Sequence, residues 1–543
     1  MSRSRRHVLL ALILLIYFVL GVLFAVYTPH WQAPDEPAHY NYVRYLAENG
    51  RFPVLQMGDY PHEYLEELKG RRFPPDLSID PIRYEYHQPP LYYSLAAPIY
   101  VLAKGHLLPL RLLSVALGAG IVVLAYAIGG RIFPGRPALT LATAAFVAFL
   151  PQHLATVSQA GNDVLAELLF ALVLLQLVGW VQVRSAIPEE QTINHQPSAI
   201  SHPQSAIPKG HAVKNPQSAI ILGFLLGLIL ITKTTAYIAV PLALGVLVWR
   251  WLRDRAPARR ILADLARITL PAALIALPWY ARNATTYGWP DFLGLQRHDA
   301  VVVGQLRLAE YLAQFGAASY LRRLVEFTFK SFWGVFGWQG VFMDSRIYLA
   351  LAILSALAAG GLALRIFNRQ YPKGTLSAIR PGLAARKPGP GSRQSLWLLA
   401  AAILLTLLVY AGYNLQFVQH QGRYLFTALI PIAVFFALGW HEALQSRSSL
   451  LLALGLVLAG LGLVAWGVTI GPGLPKWPLA LILAFAAFMA ALASIRPGLA
   501  GRRPGPGNQQ SAIRNLLFSL PYILLPLLSL YALFGAILPQ LAA

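Results

Sequence analysis

The 543-residue sequence contains no cysteine and few charged side chains. Without thiols the chain has no disulfide framework, no thiolate metal site and no cysteine nucleophile. Charged residues make up only 12% of it and hydrophobic residues 57%, whereas average soluble domains carry about 25% charged residues. It also lacks a glycine-rich phosphate loop, a zinc-spaced pair of ligands and a hydrolase nucleophile elbow. These absences exclude several classes of soluble enzyme and favour an integral membrane protein.

Acidic residues are scarcer than basic ones. The chain has 22 Asp and Glu against 44 Lys and Arg, which gives a formal net charge of +22. The basic residues fall in short loops between apolar runs, whereas a nucleic-acid-binding surface gathers them on one face. This distribution indicates membrane orientation by the positive-inside rule, so no nucleic-acid partner is expected.

Apolar stretches long enough to cross a membrane recur along the whole sequence. A hydrocarbon core of about 30 Å needs roughly 20 residues of α-helix, and irregular backbone is excluded from lipid. The sequence therefore predicts an all-α integral membrane protein with about 13 transmembrane helices. They are placed near 8–27, 109–130, 138–155, 164–181, 218–232, 235–251, 261–280, 347–366, 396–413, 424–441, 449–469, 478–494 and 515–538.

The loops between these stretches predict the orientation. The first apolar run follows the basic stretch "SRSRR" and has no small-residue cleavage site, so we expect an uncleaved signal anchor. With a cytoplasmic N-terminus, every inside loop carries Lys or Arg, as expected for a multi-pass protein of the plasma membrane. Most acids then fall in external segments, of which 28–108 and 281–346 are long.

Three cytoplasmic segments interrupt this pattern. Their density of Pro, Gly, Ser and Gln cannot bury a core and predicts disorder. They are the insertion 182–217 and the linkers 367–395 and 495–514, and the two linkers carry the near-copies "RPGLAARKPGPGSRQS" and "RPGLAGRRPGPGNQQS". The chain thus divides into a first membrane module, residues 1–366, and C-terminal transmembrane helices, residues 396–543.

The first external segment opens with two adjacent carboxylates, Asp35 and Glu36, between prolines. The stretch "PAHYNYVRYLAENG" predicts an amphipathic helix on the membrane surface, and residues 91–103 predict a second interfacial or re-entrant helix. The dipole at a helix N-terminus favours ionised carboxylates. The pair could cap this helix, act as a general base or bind a cation, and the sequence leaves these alternatives open.

An ordered set of motifs resembles the GT-C class of membrane glycosyltransferases. The first is a long apolar helix followed by Asp-Glu. The others, in chain order, are "YEYHQPPLYYSL" (84–95), "RLLSVALGAGIVVLAYAIGGRIFPGR" (111–136), "SQAGNDVLAELLF" (158–170), "GFLLGLILITKTTA" (223–236), "LPWYARNATTYGWP" (277–290) and "QGRYLFTALIP" (421–431). The resemblance covers most of the chain outside the inserted segments. It is strongest to the branch of protein mannosyltransferases and aminoarabinose transferases, similar to glycosyltransferase family 39, and to related uncharacterised membrane proteins.

This resemblance implies roles for individual residues. The class uses polyprenyl-phosphate-linked sugars and has an essential acid in the first external loop, so Asp35 is the expected base, with Glu36 as its catalytic neighbour. The cations expected near the leaving phosphate are Lys233, Arg282, Arg423 and Arg111. Residues expected near the substrate or a metal are His87, Gln88, Asp163, His39 and Tyr424. A divalent metal bound by Asp35, Glu36 or Asp163 is left open.

The function implied is transfer of a sugar, with inversion, to a glycan, lipid or protein acceptor at the external face, with residues 1–366 as the catalytic module. One alternative is a secondary transporter or lipid flippase, which would place ionisable residues near the membrane midplane. Another is an inactive scaffold of the same fold. The prediction requires Asp35, Asp163 and Lys233 to converge on one cavity.

Overall fold

The computed structural model describes residues 2–183, 216–370, 390–471, 473–494 and 509–542, which are almost entirely helical. The α-helices are α1 (Arg3–Tyr27), α2 (Glu36–Asn49), α3 (His62–Gly70), α4 (Leu91–Leu102), α5 (Leu107–Ile132), α6 (Pro137–Phe149), α7 (Pro151–Val157), α8 (Asp163–Gln182), α9 (Pro216–Leu230), α10 (Ala239–Asp254), α11 (Ala258–Tyr287), α12 (Leu295–Val301), α13 (Leu308–Gly334), α14 (Ser345–Gln370), α15 (Pro390–Asn414), α16 (Leu429–Ala443), α17 (Ser446–Thr469), α18 (Lys476–Ser494), α19 (Gln509–Tyr531) and α20 (Leu538–Leu541). Shorter helical turns lie at Tyr84–His87, Thr234–Ile238, Gly422–Ala428 and Ala532–Ile537. Strands β1 (Val335–Phe336) and β2 (Val341–Phe342) pair antiparallel, with Val335 opposite Phe342.

The predicted all-α integral membrane fold is confirmed. Among the described residues, 11 helices are long and apolar enough to cross a membrane, or 12 if α6 and α7, which meet at 61°, form one span. All 11 coincide with predicted spans. The two remaining predictions, 138–155 and 218–232, correspond to this bent pair and to α9, which has 15 residues. Most of the predicted insertion 182–217 and most of both linkers lie outside the described residues.

Close contacts between helices depend on glycine. At Gly361 of α14 an added Cβ would lie 2.2 Å from the Gly439 carbonyl oxygen, and at Gly439 of α16 one would lie 2.0 Å from the Ala358 carbonyl oxygen. Lipid supplies no hydrophobic driving force between helices, so close backbone approach is needed for strong van der Waals packing. A side chain at either glycine would separate the two helices.

Residues 28–106, between α1 and α5, fold into a compact unit, here called the first connection, that contains α2, α3 and α4. The predicted surface helix is α2, which ends at Gly50 with φ 63°. The predicted second short helix is α4, and it packs on α2 through Tyr42 and Tyr93, whose stacked rings are 3.6 Å apart. This packing places the start of α2 beside the turn Tyr84–His87.

Candidate active site

The adjacent acids Asp35 and Glu36 point to different places. Asp35 has a left-handed backbone, with φ 69° and ψ −11°, immediately before α2. Pro37 occupies the first turn of α2, where its fixed φ suits the helix and its missing N–H is not needed. The side chain of Asp35 is 27% exposed, whereas that of Glu36 is completely buried.

Glu36 is bound by Arg111 of α5. The Nε of Arg111 donates to Oε1 at 2.8 Å and its Nη2 donates to Oε2 at 2.6 Å. The backbone N–H of Ala160 also donates to Oε1, at 3.1 Å. The guanidinium further donates to carbonyl oxygens at the end of α1, those of Ala25, Thr28 and Pro29. With every contact internal, this geometry favours a structural role over the catalytic role expected for Glu36 and the phosphate-binding role expected for Arg111.

Asp35 is bound by groups that border open space. The Nη2 of Arg423 donates to Oδ2 at 2.5 Å, and the hydroxyl of Tyr84 donates to Oδ1 at 2.8 Å. Burial alone would raise the pKa of Asp35, but the charge and hydrogen bond of Arg423 outweigh it and lower that pKa to about 2. Asp35 is therefore an ionised carboxylate whose proton affinity depends on the position of Arg423.

A second carboxylate–cation pair lies nearby. Asp163, the first residue of α8, forms an ion pair with Lys233 at 2.7 Å. Lys233 lies in an extended break, with φ −162° and ψ 138°, just after α9. The side chain of Asn162 donates to the Gln88 side chain at 3.2 Å and to the Thr232 carbonyl oxygen at 3.4 Å. These bonds join the start of α8, the break and the segment before α4.

Residues of both pairs border one cavity of about 780 Å³, a size typical of small-molecule sites. Residues Asp35 and Lys233 line it directly, and Asp163 is held against it through Lys233. The other polar side chains on its wall include those of Glu85, His87, Gln88, Arg423 and Tyr424. The helix α15 adds a wall with Val409, Tyr410 and Tyr413. Of the three residues expected to converge on one cavity, Asp35 and Lys233 line it, and Asp163 does not line it but pairs with Lys233.

Two histidines on the cavity wall, His87 and His298, are held uncharged. The ring of His87 lies 4.4 Å from that of His298, and its Nδ1 is 3.1 Å from the Tyr84 carbonyl oxygen. Burial lowers the pKa of His87 to about 4 and that of His298 to about 3. His39 is also buried, with Nδ1 2.8 Å from the Tyr93 hydroxyl, and it is not among the residues that line the cavity.

Arg282 lies away from the cavity, whereas Tyr424 lines it. Arg282 donates to the carbonyl oxygens of Phe52 and Pro53, and its guanidinium lies 4.8 Å from the centre of the Trp279 ring. These contacts favour anchoring of the first connection over phosphate binding. Tyr424 presents its ring edge to Tyr413, with centroids 5.7 Å apart.

The carboxylates proposed as metal ligands do not form a metal site. Within the part of the chain that the structure describes, no group of three or more His, Asp or Glu side chains is arranged to hold a metal ion. Asp35, Glu36 and Asp163 are each paired with Arg or Lys instead. A divalent cation bound at any one of these acids would have to displace the Arg or Lys paired with it, so a metal at this site stays a prediction.

Sequence reasoning missed Tyr84, Glu85 and His298. Tyr84 and Glu85 stand inside the quoted motif "YEYHQPP", but nothing in the motif indicates which side chains face inward. One available signal was the placement of an acid among aromatic residues in a chain with so few acids. His298 lies on α12, more than 200 positions further along, and only the fold brings it to His87.

The chain was compared with known proteins. No family model and no curated protein matches it. It is similar to the solved structure of ArnT from Cupriavidus metallidurans bound to undecaprenyl phosphate, with a TM-score of 0.49 and 14% identity, covering 100% of this chain and 78% of that one. It is also similar to the oligosaccharyltransferase AglB from Archaeoglobus fulgidus in complex with an inhibitory peptide and a dolichol-phosphate, with a TM-score of 0.42 and 15% identity, covering 94% of this chain and 57% of that one. Both are GT-C proteins, the class that the sequence resembles, and no activity is assigned to this chain from them.

Proposed function

We propose that the protein is a membrane glycosyltransferase that moves a hexose or pentose from a polyprenyl-phosphate donor to an acceptor at the external face of the plasma membrane. The observation that carries this proposal is the meeting of two carboxylate–cation pairs, Asp35–Arg423 and Asp163–Lys233, at one large cavity. Such a cavity offers cations for a phosphate and a carboxylate for a proton.

Lys233 and Arg423 are suited to bind the phosphate of the leaving group. A polyprenyl-phosphate-linked sugar carries one negative charge on its phosphate, and the polyprenyl phosphate that departs carries a second. Preorganised cations stabilise charge that develops in the transition state. The exposed apolar side chain of Val409 on the α15 wall provides a surface for the first isoprenoid units.

Asp35 is suited to accept the proton of the acceptor hydroxyl, but only once the donor is bound. In contact with Arg423 its pKa of about 2 makes it a poor base. A donor phosphate that draws Arg423 toward itself would remove the main group that lowers this pKa. The base therefore becomes effective only when there is a sugar to transfer.

The reaction is then a single displacement. An acceptor hydroxyl attacks the anomeric carbon while the bond from that carbon to the phosphate oxygen breaks, and the bonding electron pair leaves with the phosphate. The acceptor proton passes to Asp35. Attack opposite the leaving group inverts the anomeric configuration.

The decisive experiment is mass spectrometry of lipid bound to the purified protein, followed by a transfer assay. We expect the mass of a polyprenyl phosphate with one sugar, and conversion of that lipid to bare polyprenyl phosphate when an acceptor is added. Loss of bound lipid in Lys233→Met and Arg423→Met would assign the phosphate site. A matched control is Arg51→Met, because Arg51 is exposed on the first connection and forms no ion pair among the described residues.

Three results would contradict the proposal. If the wild-type protein binds no polyprenyl phosphate, a polyprenyl-phosphate-linked sugar is excluded as the donor. Bound sugar-lipid without covalent transfer would indicate an inactive scaffold. Movement of the sugar-lipid across sealed vesicles without transfer would indicate a transporter or flippase.

A further inference from the structure

Among the described acids that line the cavity, Glu85 is the one without an ion pair. Glu85 lies on the turn Tyr84–His87 and is 8% exposed. Its Oε2 is enclosed and has no hydrogen-bond partner among the described residues, and no Lys or Arg there forms an ion pair with it. Buried carboxylate oxygens are normally hydrogen-bonded. Since Glu85 lines the cavity, a rotation of its carboxyl group toward the open space would let a ligand hydroxyl satisfy this oxygen.

The surroundings of Glu85 fit hydroxyl groups. His87, Gln88, Thr234 and His298 line the same cavity and supply uncharged donors and acceptors, because burial keeps both imidazoles neutral. Burial also raises the pKa of Glu85, which favours its neutral form. A neutral carboxyl group can both donate to and accept from a hydroxyl.

The position of Glu85 relative to the two ion pairs is the second observation. Glu85 follows Tyr84, whose hydroxyl donates to Asp35 at 2.8 Å, and it lines the same cavity as Asp35 and Lys233. In the displacement described above, the sugar ring must lie between the phosphate, at Lys233, and the base, Asp35. The wall beside the ring is therefore the one that contains Glu85.

We infer that Glu85 hydrogen-bonds a hydroxyl of the transferred sugar and that the site selects an uncharged, hydroxyl-bearing sugar. The inference rests on the proposed function and names its substrate class. A uronic acid would place an ionised carboxylate beside the uncharged groups Glu85, His87, Gln88 and Thr234. An amino sugar would require Glu85 to be ionised in order to pair with its ammonium group, against the effect of burial.

The test is a binding competition read by native mass spectrometry. The full-length protein is mixed with equal amounts of bare polyprenyl phosphate and of polyprenyl phosphate carrying glucose, glucosamine or glucuronic acid. Wild type should prefer the glucose lipid over bare polyprenyl phosphate and over the two charged analogues by at least roughly tenfold. Glu85→Gln should keep this preference because an amide also donates and accepts. Glu85→Leu should bind bare and glucosylated lipid equally, and Glu85→Ala gives the same readout should the leucine variant not fold.

The control and the contrary outcomes are distinct. Glu63→Leu replaces an exposed acid of α3 that does not line the cavity, and it should behave as wild type. The inference would be overturned if Glu85→Leu and Glu85→Ala still preferred the glucose lipid. It would also be overturned if wild type preferred the glucosamine or glucuronic acid lipid. Neither result would contradict the proposed function. Wild-type protein that binds none of the four lipids would instead overturn the proposed function.

Discussion

Asp35 and Glu36 are neighbours in the sequence and each is bound by an arginine from a distant segment, yet the two ion pairs differ physically. Glu36 and Arg111 are 0% and 2% exposed, and both oxygens of Glu36 are bonded by Arg111. Asp35 and Arg423 are 27% and 8% exposed and border a cavity. The first pair is closed to ligands and the second is open to them.

Both pairs join a carboxylate to an arginine, and they differ in whether a ligand can reach them. This accessibility separates a structural ion pair from one that can take part in a reaction. Breaking a buried pair leaves an uncompensated charge in low dielectric, so the closed pair fixes the first connection to α1 and α5. A cation beside a cavity can change partners when an anion arrives, so the open pair can respond to a substrate. Each of the following experiments challenges this distinction.

Glu36→Gln should have the largest effect on folding. It leaves the buried guanidinium of Arg111 without its counter-charge, which costs about 3–5 kcal/mol of stability. The yield of monodisperse protein in detergent and its thermal unfolding midpoint measure this loss. Equal stability of Glu36→Gln and the neighbouring Asp35→Asn would show that the two pairs are not different.

Asp35→Asn should strongly slow sugar transfer while the protein still folds. Asparagine tolerates the left-handed conformation and the Asp35 side chain is partly exposed, so stability should fall less than in Glu36→Gln even though Arg423 loses its counter-charge. Removal of a positioned base should slow sugar transfer by roughly 10²–10⁴-fold at saturating donor. Release of polyprenyl phosphate from a labelled donor measures the rate, and a variant within a few-fold of wild type would exclude Asp35 as the base.

Arginine-to-lysine substitutions should separate the pairs more finely. Arg111→Lys loses a bidentate contact and several carbonyl contacts, so the unfolding free energy should fall by about 2 kcal/mol or more. Arg423→Lys keeps one charge beside the cavity and should instead weaken polyprenyl-phosphate binding by about tenfold, with little change in stability. Reversed effects in the melting and lipid-binding measurements would contradict the assignment.

The smallest expected effect is a change in the pH dependence of stability that arises from His87 on the cavity wall. His87 stays neutral down to a pKa of about 4 when folded, against 6.5 for an ordinary histidine. The unfolded chain therefore binds a proton first as the pH falls, and stability is lost progressively between about pH 6.5 and 4. At pH 5 the loss from His87 is about 2 kcal/mol. His87→Gln should reduce the fall in unfolding midpoint between pH 7 and 5, and the exposed control His106→Gln should not.

The transmembrane helices could be predicted because membrane thickness fixes their length. The prediction is least accurate where this rule fails, at 138–155, which bends ahead of Pro151, and at 218–232, where α9 stops before the break that holds Lys233. Proline removes a backbone donor, and the exact point of a break depends on tertiary packing. The helices α2 and α4 were predictable from local apolar patterns and turn residues.

The partners within the site could not be predicted. Glu36 and Arg111 are 75 positions apart, and Asp35 and Arg423 are 388 apart. Membrane orientation places such residues on the same side but does not say which atoms touch. Adjacent acids suggested a single catalytic unit, and the uncommon left-handed turn at Asp35 separates them. The roles of Asp35, Lys233 and Arg423 in catalysis remain predictions.

The left-handed turn at Asp35 has an evolutionary consequence. With φ 69°, the position suits glycine without strain, whereas most other side chains lose roughly 1–2 kcal/mol there. Aspartate and asparagine tolerate this conformation better than glutamate does, so the backbone restricts which acid can stand here. Close homologues that keep an acid at the equivalent place should therefore keep aspartate, and a change to glutamate should be rare.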